Sequence, residues 1–286
     1  MKTLNHLATE FLAKYASQLR PSTFRGYRTN LVRHVLPILG SKSPAELVPD
    51  DLDELTDLLR ENGLNNKSIV YVHATLRKAL NYGIRRGYFD RNVYDRYDLP
   101  RIEHYSYPIL NDEQFARMIA CAEGRTFHMI AIRLALRYGL RRGEILGIIP
   151  ETDLDSRNRI LHIQRTRAVE HCEDSVTPCK TRNSDRYLLL LEEDAAALAA
   201  RPRGSYAVPL TPTQLNKGFS KFLQHSGFPP MRFHDLRHNY ATYMYRHGVD
   251  VKTISTVLGH ASVKITLDIY AHPDLQIQNA CLEVLP

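Results

Sequence analysis

Cysteine is scarce in this chain, and its spacing argues against the common zinc and disulfide frameworks. Of the four cysteines, only Cys172 and Cys179 lie near each other in the sequence. No pair has the short spacing that is typical of zinc ligands. So few cysteines are typical of proteins that fold in a reducing compartment.

Long apolar runs are also missing. No stretch is apolar over the length that is needed to span a bilayer. The first residues, MKTLNHLATEF, are interrupted by His6 and Glu10 and therefore do not form the apolar core of a signal peptide. The sequence therefore predicts a cytoplasmic protein that has no membrane partner.

The size and composition are those of a soluble globular protein. At 286 residues, the chain is long enough for two domains of ordinary size. Hydrophobic residues make up 43% and charged residues 24% of the chain. The formal net charge of +7 favours a polyanionic partner, but many unrelated proteins share this balance, so it carries little weight alone.

The first part of the chain, up to about residue 90, has helical patterning throughout. Four helical segments are predicted: one at about 4–15, a second at about 23–36, an acidic third that follows Pro49, and a fourth at about 66–86. The second and fourth segments carry basic polar faces. A basic helix face is more often a solvated surface than a binding surface. Contact with a DNA backbone, however, needs several such charges together, and these helices supply them. The candidate DNA-binding residues are Arg25, Arg28, Lys67, Arg77 and Arg85.

The periodic pattern lapses between about residues 91 and 108. This stretch contains Pro100 and Pro108, scattered tyrosines and mixed charge. These features are typical of an extended connection between domains. We therefore predict a helical domain over 1–100, a linker over 101–107 and a second domain over 108–286.

The second domain is predicted to begin with helices and to continue into short strands. Gly139 ends a helix, and Arg141 stands at the start of the next one, where a guanidinium and helix-terminal amides can converge on an anion. A structural ion pair between Arg141 and Glu144 is the competing interpretation. Alternating segments at 159–163, 165–169 and 187–191 predict a small antiparallel sheet. Lys180 precedes a polar turn that is typical of a hairpin tip. The fold class is therefore mainly α with a small antiparallel β-sheet.

The stretch HDLRHNYATYMYRHGVDVKTISTVLGHASVKITLDIY gathers further polar residues within a short length of helical sequence. His234 and Arg237 fall on one side of a helix, and apolar positions on that helix would leave both free to meet a ligand. Gly259 ends the next helix, and His260 follows directly after it. Tyr270 follows after a short turn.

This set of side chains fits phosphoryl chemistry without a metal. A guanidinium binds a phosphate through parallel hydrogen bonds, and an imidazole can donate a hydrogen bond or move a proton. A phenol can act as a covalent nucleophile when such neighbours surround the acceptor. The carboxylate pairs and Cys/His clusters of metal sites are missing from this stretch.

The motifs YGLRRGE, CKTRNSDRYLLL, HDLRH, LGHAS and ITLDIYAH resemble, in order and approximate spacing, those of the tyrosine recombinases, or phage-type integrases. The resemblance covers essentially the whole chain. It implies a helical core-binding (SAM-like) domain followed by a catalytic domain. The site residues that it implies are Arg141, Lys180, His234, Arg237, His260 and Tyr270.

The resemblance also implies a role for each of these residues. Tyr270 would attack a DNA phosphate and form a 3′-phosphotyrosyl link. The two arginines would hold the non-bridging oxygens. His234 would assist proton movement at the nucleophile, and His260 would donate a hydrogen bond to the phosphate. Lys180 is the candidate general acid for the 5′-oxygen.

The implied partners are double-stranded DNA and further copies of this chain. Four protomers would exchange strands between two DNA sites through a Holliday junction, whereas the free protein would be a monomer. Accessory directionality or bending proteins are further candidate partners, and the protein would be nucleoid-associated when bound to DNA. The phosphotyrosyl bond conserves the energy of the phosphodiester, so no cofactor, ATP or metal is expected. No separate domain precedes the core-binding helices, so we expect the arm-site-binding module of many phage integrases to be absent.

Three other classes of protein remain open at this point. HDLRH has two histidines at zinc-ligand spacing, but it lacks the glutamate of HExxH, which disfavours a metalloenzyme. A type IB topoisomerase shares the tyrosine chemistry. A DNA-binding regulator that has lost catalysis would keep the fold, although the complete set of site residues argues against it.

Overall fold

The computed structural model describes residues 3–102, 105–124, 126–170, 173–178, 182–260 and 262–263. The chain divides into two compact units, Met1–Tyr105 and Ser106–Pro286. The division falls within the segment that we predicted as a linker. The predicted fold class, mainly helical with little antiparallel sheet, is confirmed.

The described elements of the first unit are helical. They are α1 (Leu4–Tyr15), α2 (Pro21–Thr29), a π-helical turn (Asn30–Val35), α3 (Leu36–Leu39), α4 (Pro49–Glu61) and α5 (Asn66–Arg85), with short 3₁₀ turns at Pro44–Glu46 and Val93–Arg96. Their apolar faces enclose one core, which includes the fully buried side chains Leu4, Leu7, Phe11, Leu31, Leu52, Leu55, Ile69 and Leu76.

Local sequence signals explain where these helices begin. The side chain of Asn65 accepts a hydrogen bond from the backbone N–H of Ser68 (2.9 Å), which caps α5. In α4, Pro49 occupies the first turn, where its missing N–H costs nothing. The carboxylate of Asp51 accepts a hydrogen bond from the N–H of Val48 (3.0 Å) at the same helix start.

The second helix differs from the prediction. Instead of one α-helix over about 23–36, the chain forms a helical run from Pro21 to Leu39 with a π-helical turn in its middle. The widened turn lies just before Pro37, whose ring would clash with the carbonyl of Arg33 in regular α geometry. Hydrophobic periodicity does not report this local change.

The second unit combines helices with two small sheets. Its elements are α6 (Asp112–Cys121), α7 (Phe127–Tyr138), α8 (Arg142–Gly147), α9 (Pro150–Asp153), β1 (Leu154–Asp155), β2 (Ile160–Ile163), β3 (Arg165–Glu170), β4 (Glu173–Pro178), β5 (Arg186–Leu189), α10 (Glu192–Ala199), α11 (Pro212–His225), α12 (Asp235–Arg246) and α13 (Val251–Leu258). None of the helices in the described ranges is long and apolar enough to cross a membrane.

The strands form two antiparallel sheets rather than the single sheet that we predicted. One sheet has the order β1-β2-β5, and the other is the pair β3-β4. In the three-stranded sheet, Leu161 and Leu188 pair across β2 and β5 and face the core. The strand β4 was not predicted, because its sequence EDSVTP has no apolar alternation. Position 180, which we predicted at a hairpin tip, falls between β4 and β5 in the sequence and lies outside the described residues.

Helix α7 is the centre of the second unit. Most of its residues are buried, and it packs against α8, α10, α11 and α12. Gly139 ends α7 in the left-handed conformation, at φ 62°. A Cβ atom at Gly139 would lie 2.4 Å from Leu258 and 2.6 Å from Tyr240, so only glycine fits here. This turn sets the direction in which the chain enters α8.

Candidate functional site

Arg141 stands at the start of α8, as the sequence predicted. Its backbone is extended at φ −72° and ψ 148°, and its N–H donates to the carboxylate of Glu144 (2.9 Å). The guanidinium donates to the same carboxylate (2.6 Å) and to the carbonyl of Gly259 (2.9 Å). The ion pair that we weighed as the competing interpretation therefore exists. The same guanidinium also bonds the turn that leads to His260.

Arg237 is almost fully buried, with 3% of its surface exposed. It donates to the carbonyl of Gly139 (2.6 Å) and to the carbonyl of Leu258 (2.8 Å). We predicted that Arg237 is free to meet a ligand. In the structure it is instead bonded to two backbone carbonyls, at the ends of α7 and α13. A guanidinium has more N–H donors than these two carbonyls use, so further acceptors can still bind it.

His234 lies at the first turn of α12, and its side chain is exposed. Its ring packs edge to face on His238, with the ring centroids 5.0 Å apart. Surrounding protein atoms displace water from His234, and His238 and Arg237 add unfavourable charge, so its pKa lies below the ordinary value. A neutral imidazole at this position can accept a proton.

His260 follows the left-handed Gly259, which ends α13 at φ 65°. The side chain of Asn183 donates to the backbone carbonyl of His260 (3.1 Å), which fixes this turn against the segment before β5. His260 is 8% exposed. Burial, followed by the charges of Arg237 and Arg141, lowers its pKa to about 3.

Sequence reasoning missed Arg186 at the start of β5. This residue is 8% exposed, and its guanidinium bonds both oxygens of Glu144, at 3.2 Å and 3.0 Å. Burial disfavours the charge of Glu144, but the positive charges of Arg186 and Arg141 outweigh it and lower the pKa of this carboxyl. The alternating pattern of the strand contained the signal, because position 186 falls on the same face as Leu188.

The site has an excess of positive charge. Three guanidiniums, those of Arg141, Arg186 and Arg237, surround the single carboxylate of Glu144. Burial, together with the charge of Arg141, lowers the pKa of Arg237 to about 9. A bound anion would relieve this repulsion, so the site is electrostatically suited to a phosphate.

A cavity of about 780 Å³ opens beside these residues. Arg141 and His234 line it, together with three further arginines, Arg142, Arg167 and Arg232. Its other polar lining residues include Thr166, Ser184, Asn216 and Ser220. Within the described ranges, no three His, Cys, Asp or Glu side chains are placed to share a metal ion.

The remaining predicted residues divide into two groups. Lys180 and Tyr270 lie outside the described residues. The five candidate DNA-binding residues belong to the first unit, on α2 and α5, and their side chains are exposed: Arg25, Arg28, Lys67, Arg77 and Arg85.

Sequence comparison identifies the family. Residues 108–276 match the Phage integrase family, and residues 3–55 match the phage integrase N-terminal SAM-like domain. The chain belongs to the phage integrase family. This confirms the resemblance that the motifs predicted.

One relative of this chain is a XerC-like tyrosine recombinase of Caldanaerobacter subterraneus subsp. tengcongensis. The two are 26% identical over 257 residues, which cover 75% of this chain and 64% of the relative. The chain therefore spans less than two thirds of the length of that relative.

Solved structures of other integrases share the fold. A variant of the Tn1549 transposon integrase in complex with a circular intermediate DNA superposes with a TM-score of 0.84, at 20% identity, over the whole of both chains. A λ integrase tetramer bound to a Holliday junction superposes with a TM-score of 0.67, at 16% identity, over 91% of this chain and 78% of that one. At these identities the likeness shows the fold alone.

Proposed function

We propose that this protein is a site-specific DNA recombinase that cleaves and rejoins DNA through a 3′-phosphotyrosyl intermediate. One observation carries the proposal. The guanidiniums of Arg141 and Arg237 donate to the adjacent carbonyls of Gly259 and Leu258, at the turn that presents His260. Two cations and an imidazole thus meet at the end of α13, beside a cavity that is large enough for a DNA phosphate.

In the proposed reaction, the phenolic oxygen of Tyr270 attacks the scissile phosphorus. A bond from phosphorus to the tyrosine oxygen forms, and the bond to the 5′-oxygen breaks. His234 takes the proton of the phenol, and Lys180 supplies a proton to the departing 5′-oxygen. Attack by a 5′-hydroxyl on the phosphotyrosine reverses these steps and rejoins the DNA.

The cations stabilise the charge that develops during this transfer. Arg141 and Arg237 would hold the non-bridging oxygens, where negative charge grows in the transition state. His260 would donate a hydrogen bond to the same phosphate. The reaction conserves one phosphodiester bond in the phosphotyrosine, so we expect it to proceed without ATP, and the positive side chains would take the place of a metal ion.

The proposed assembly is a tetramer on two DNA sites. The helical first unit would hold DNA through its exposed basic face, and the second unit would carry out catalysis. The λ integrase tetramer on a Holliday junction and the Tn1549 integrase on a circular intermediate support this assembly, because their folds match both units of this chain.

The test of the function begins with the DNA. The protein is expressed in bacterial cells and purified under denaturing conditions, and the DNA that stays covalently attached is sequenced. A nicked duplex that carries the recovered sequence then serves as a suicide substrate, with EDTA present and nucleotides absent. Wild-type protein is expected to form a covalent adduct.

The nucleophile is tested with Tyr270→Phe. This variant should form no adduct but should bind the same duplex within about threefold of the wild-type affinity, because only the attacking oxygen is lost. Tyr187→Phe is the matched control, since Tyr187 is 68% exposed and lies on β5. An adduct that persists in Tyr270→Phe would assign the chemistry to another residue. Relaxation of supercoiled DNA by a monomer, without paired sites, would instead favour a type IB topoisomerase.

A further inference from the structure

Arg186, at the start of β5, makes several hydrogen bonds to the residues around the site. Its guanidinium bonds both oxygens of Glu144, as described above, and also donates to the carbonyl of Ser184 (3.1 Å). Its Nε donates to the carbonyl of Val257 (2.5 Å). One buried side chain therefore joins three separate segments of the second unit.

Each of these segments leads to a residue of the proposed reaction. Glu144 holds the backbone N–H and the guanidinium of Arg141. Val257 lies in the last turn of α13, three residues before His260. Ser184 ends the short 3₁₀ turn between the strand β4 and the strand β5, in the connection that contains position 180.

Packing alone does not require an arginine at this position. Removing a charged pair from water is costly, and an apolar pair of similar volume is often as stable or more stable. A planar guanidinium, however, can bind a carboxylate with one edge while a further N–H reaches a carbonyl in a fixed direction. This geometry defines how far α8 lies from the end of α13. An apolar side chain cannot fix that spacing through directed hydrogen bonds.

We propose that Arg186 is a positioning residue for the recombination reaction, which sets the guanidinium of Arg141 and the turn of His260 in register around the scissile phosphate. The inference rests on the proposed function. Arg186 itself would not touch the DNA, because it makes four hydrogen bonds, to Glu144, Ser184 and Val257, from the five N–H donors of a guanidinium. Its loss should therefore reduce the rate of cleavage rather than the affinity for DNA.

The test uses two variants of the full chain and a matched pair of controls. Arg186→Met removes the charge, and Arg186→Lys keeps it but loses the planar fork. Arg133 in α7 is the control, because it is 7% exposed, bonds the buried Asp194 (3.0 Å) and donates to the carbonyls of Ala122 and Gly124. Arg133→Met and Arg133→Lys thus remove a comparable buried ion pair from a part of the same unit outside the site.

Three quantities are measured for each variant: the melting temperature, the affinity for the duplex recovered by covalent trapping, and the single-turnover rate of adduct formation at saturating protein. We expect Arg186→Lys to lower the cleavage rate by about 10 to 100-fold, because a displacement of a catalytic group by about 1 Å can cost about 100-fold. The affinity should stay within about threefold of wild type. The Arg133 variants should lower the melting temperature as much while changing the cleavage rate by less than about threefold.

The pH dependence of cleavage supplies a second readout. Arg186 helps to keep Glu144 ionised, so in Arg186→Met only the charges of Arg141 and Arg237 are left to oppose the effect of burial on this carboxyl. Protonation of Glu144 would release Arg141. The acid limb of the rate profile should therefore move to higher pH in Arg186→Met and stay in place in Arg133→Met.

Two results would overturn the inference. One is a cleavage rate for both Arg186 variants within about threefold of wild type. The other is an equal loss of rate in Arg133 variants of equal melting temperature, which would show a purely structural role. A different result would contradict the proposed function itself: the wild-type protein would form no covalent adduct on the trapped sequence.

Discussion

Two buried imidazoles, one in each unit, have pKa values well below the ordinary value of a histidine. Burial alone accounts for His73, whose pKa is lowered to about 4, whereas for His260 the charges of Arg237 and Arg141 add to burial. His260 is therefore neutral at physiological pH. A phosphate bound beside it would favour the imidazolium form, so binding and protonation of His260 should be linked.

Two hydroxyl groups hold the ring of His73. The hydroxyl of Thr56 lies 2.9 Å from Nε2, and the hydroxyl of Tyr94 lies 2.7 Å from Nδ1. A hydroxyl can donate to a ring nitrogen or accept from it, so these contacts alone do not exclude the charged ring. Burial is what disfavours the imidazolium and lowers the pKa of His73.

The low pKa of His73 predicts that the first unit loses stability in acid. The unfolded chain protonates His73 near its ordinary pKa of 6.5, whereas the folded chain does so only near 4. The stabilisation is complete above pH 6.5 and is lost as the pH falls toward 4, at about 1.4 kcal/mol per pH unit. We expect the gap in unfolding free energy between wild type and His73→Gln to shrink by about 2 kcal/mol between pH 7.5 and pH 5. Urea unfolding at each pH measures this gap.

The exposed His6 provides the control for this experiment. Its side chain is 53% exposed and pairs with Glu10 at 3.0 Å. The gap between wild type and His6→Gln should vary with pH by less than about 0.5 kcal/mol. A gap for His73→Gln that is equally flat would show that His73 titrates normally in the folded protein.

At the scale of single elements, glycines that end helices place the site residues. Gly139 ends α7 and directs the chain to Arg141, and Gly259 ends α13 and presents His260. Both glycines have positive φ, at which residues with a Cβ are strained. A glycine after a periodic helix is a readable signal, which is why the sequence alone predicted both helix ends and the residues that follow them.

Other features of these elements could not be predicted from the sequence. Arg237 is buried because the carbonyls of Gly139 and Leu258 reach it from distant parts of the chain, and helical spacing reports only which residues share a face. The alternation in β5 indicates that Arg186 faces inward with Leu188, but its partners Glu144 and Val257 are set by long-range packing. The π-helical turn and the strand β4 have no distinct periodicity. In each case, the conformation or the bonding partners depend on tertiary contacts, which the local sequence pattern does not report.

The close packing at Gly139 predicts a large effect of one methyl group. In Gly139→Ala, the new Cβ would meet Leu258 at 2.4 Å and Tyr240 at 2.6 Å, and the left-handed backbone would be strained as well. We expect a loss of roughly 3 kcal/mol in unfolding free energy, from backbone strain plus overpacking. Because the carbonyl of Gly139 accepts from Arg237, the rate of adduct formation should fall too.

Gly248→Ala separates the two causes. Gly248 has φ 78°, but a Cβ added to it would meet no atom within 4 Å, so this variant carries the backbone strain without the steric clash. It should lose only about 1 kcal/mol and keep its rate of adduct formation. Equal losses in the two variants, measured by urea unfolding, would show that the packing at Gly139 relaxes easily.

At the scale of the whole molecule, the chain carries a net charge of +7 over two units that have separate cores. In the first unit, the basic side chains of α2 and α5 are exposed, whereas the first turn of α4 is acidic. The positive charge is therefore concentrated on particular helices. This distribution favours binding of a polyanion along α2 and α5 over a non-specific attraction to the whole surface.

The salt dependence of DNA binding tests this assignment without knowledge of the target sequence. Removal of a side chain that contacts a phosphate should lower the slope of log affinity against log salt by about 0.9. For Arg25→Ala combined with Arg28→Ala, we expect a decrease of about 2 on a fluorescent duplex of arbitrary sequence, measured by anisotropy over roughly 50 to 200 mM salt. Arg60→Ala is the control, because Arg60 is also exposed but lies on the acidic α4, paired with Asp57 at 3.0 Å. If the slope decreases by the same amount per removed charge in both variants, the effect follows net charge alone, and α2 does not contact the DNA backbone.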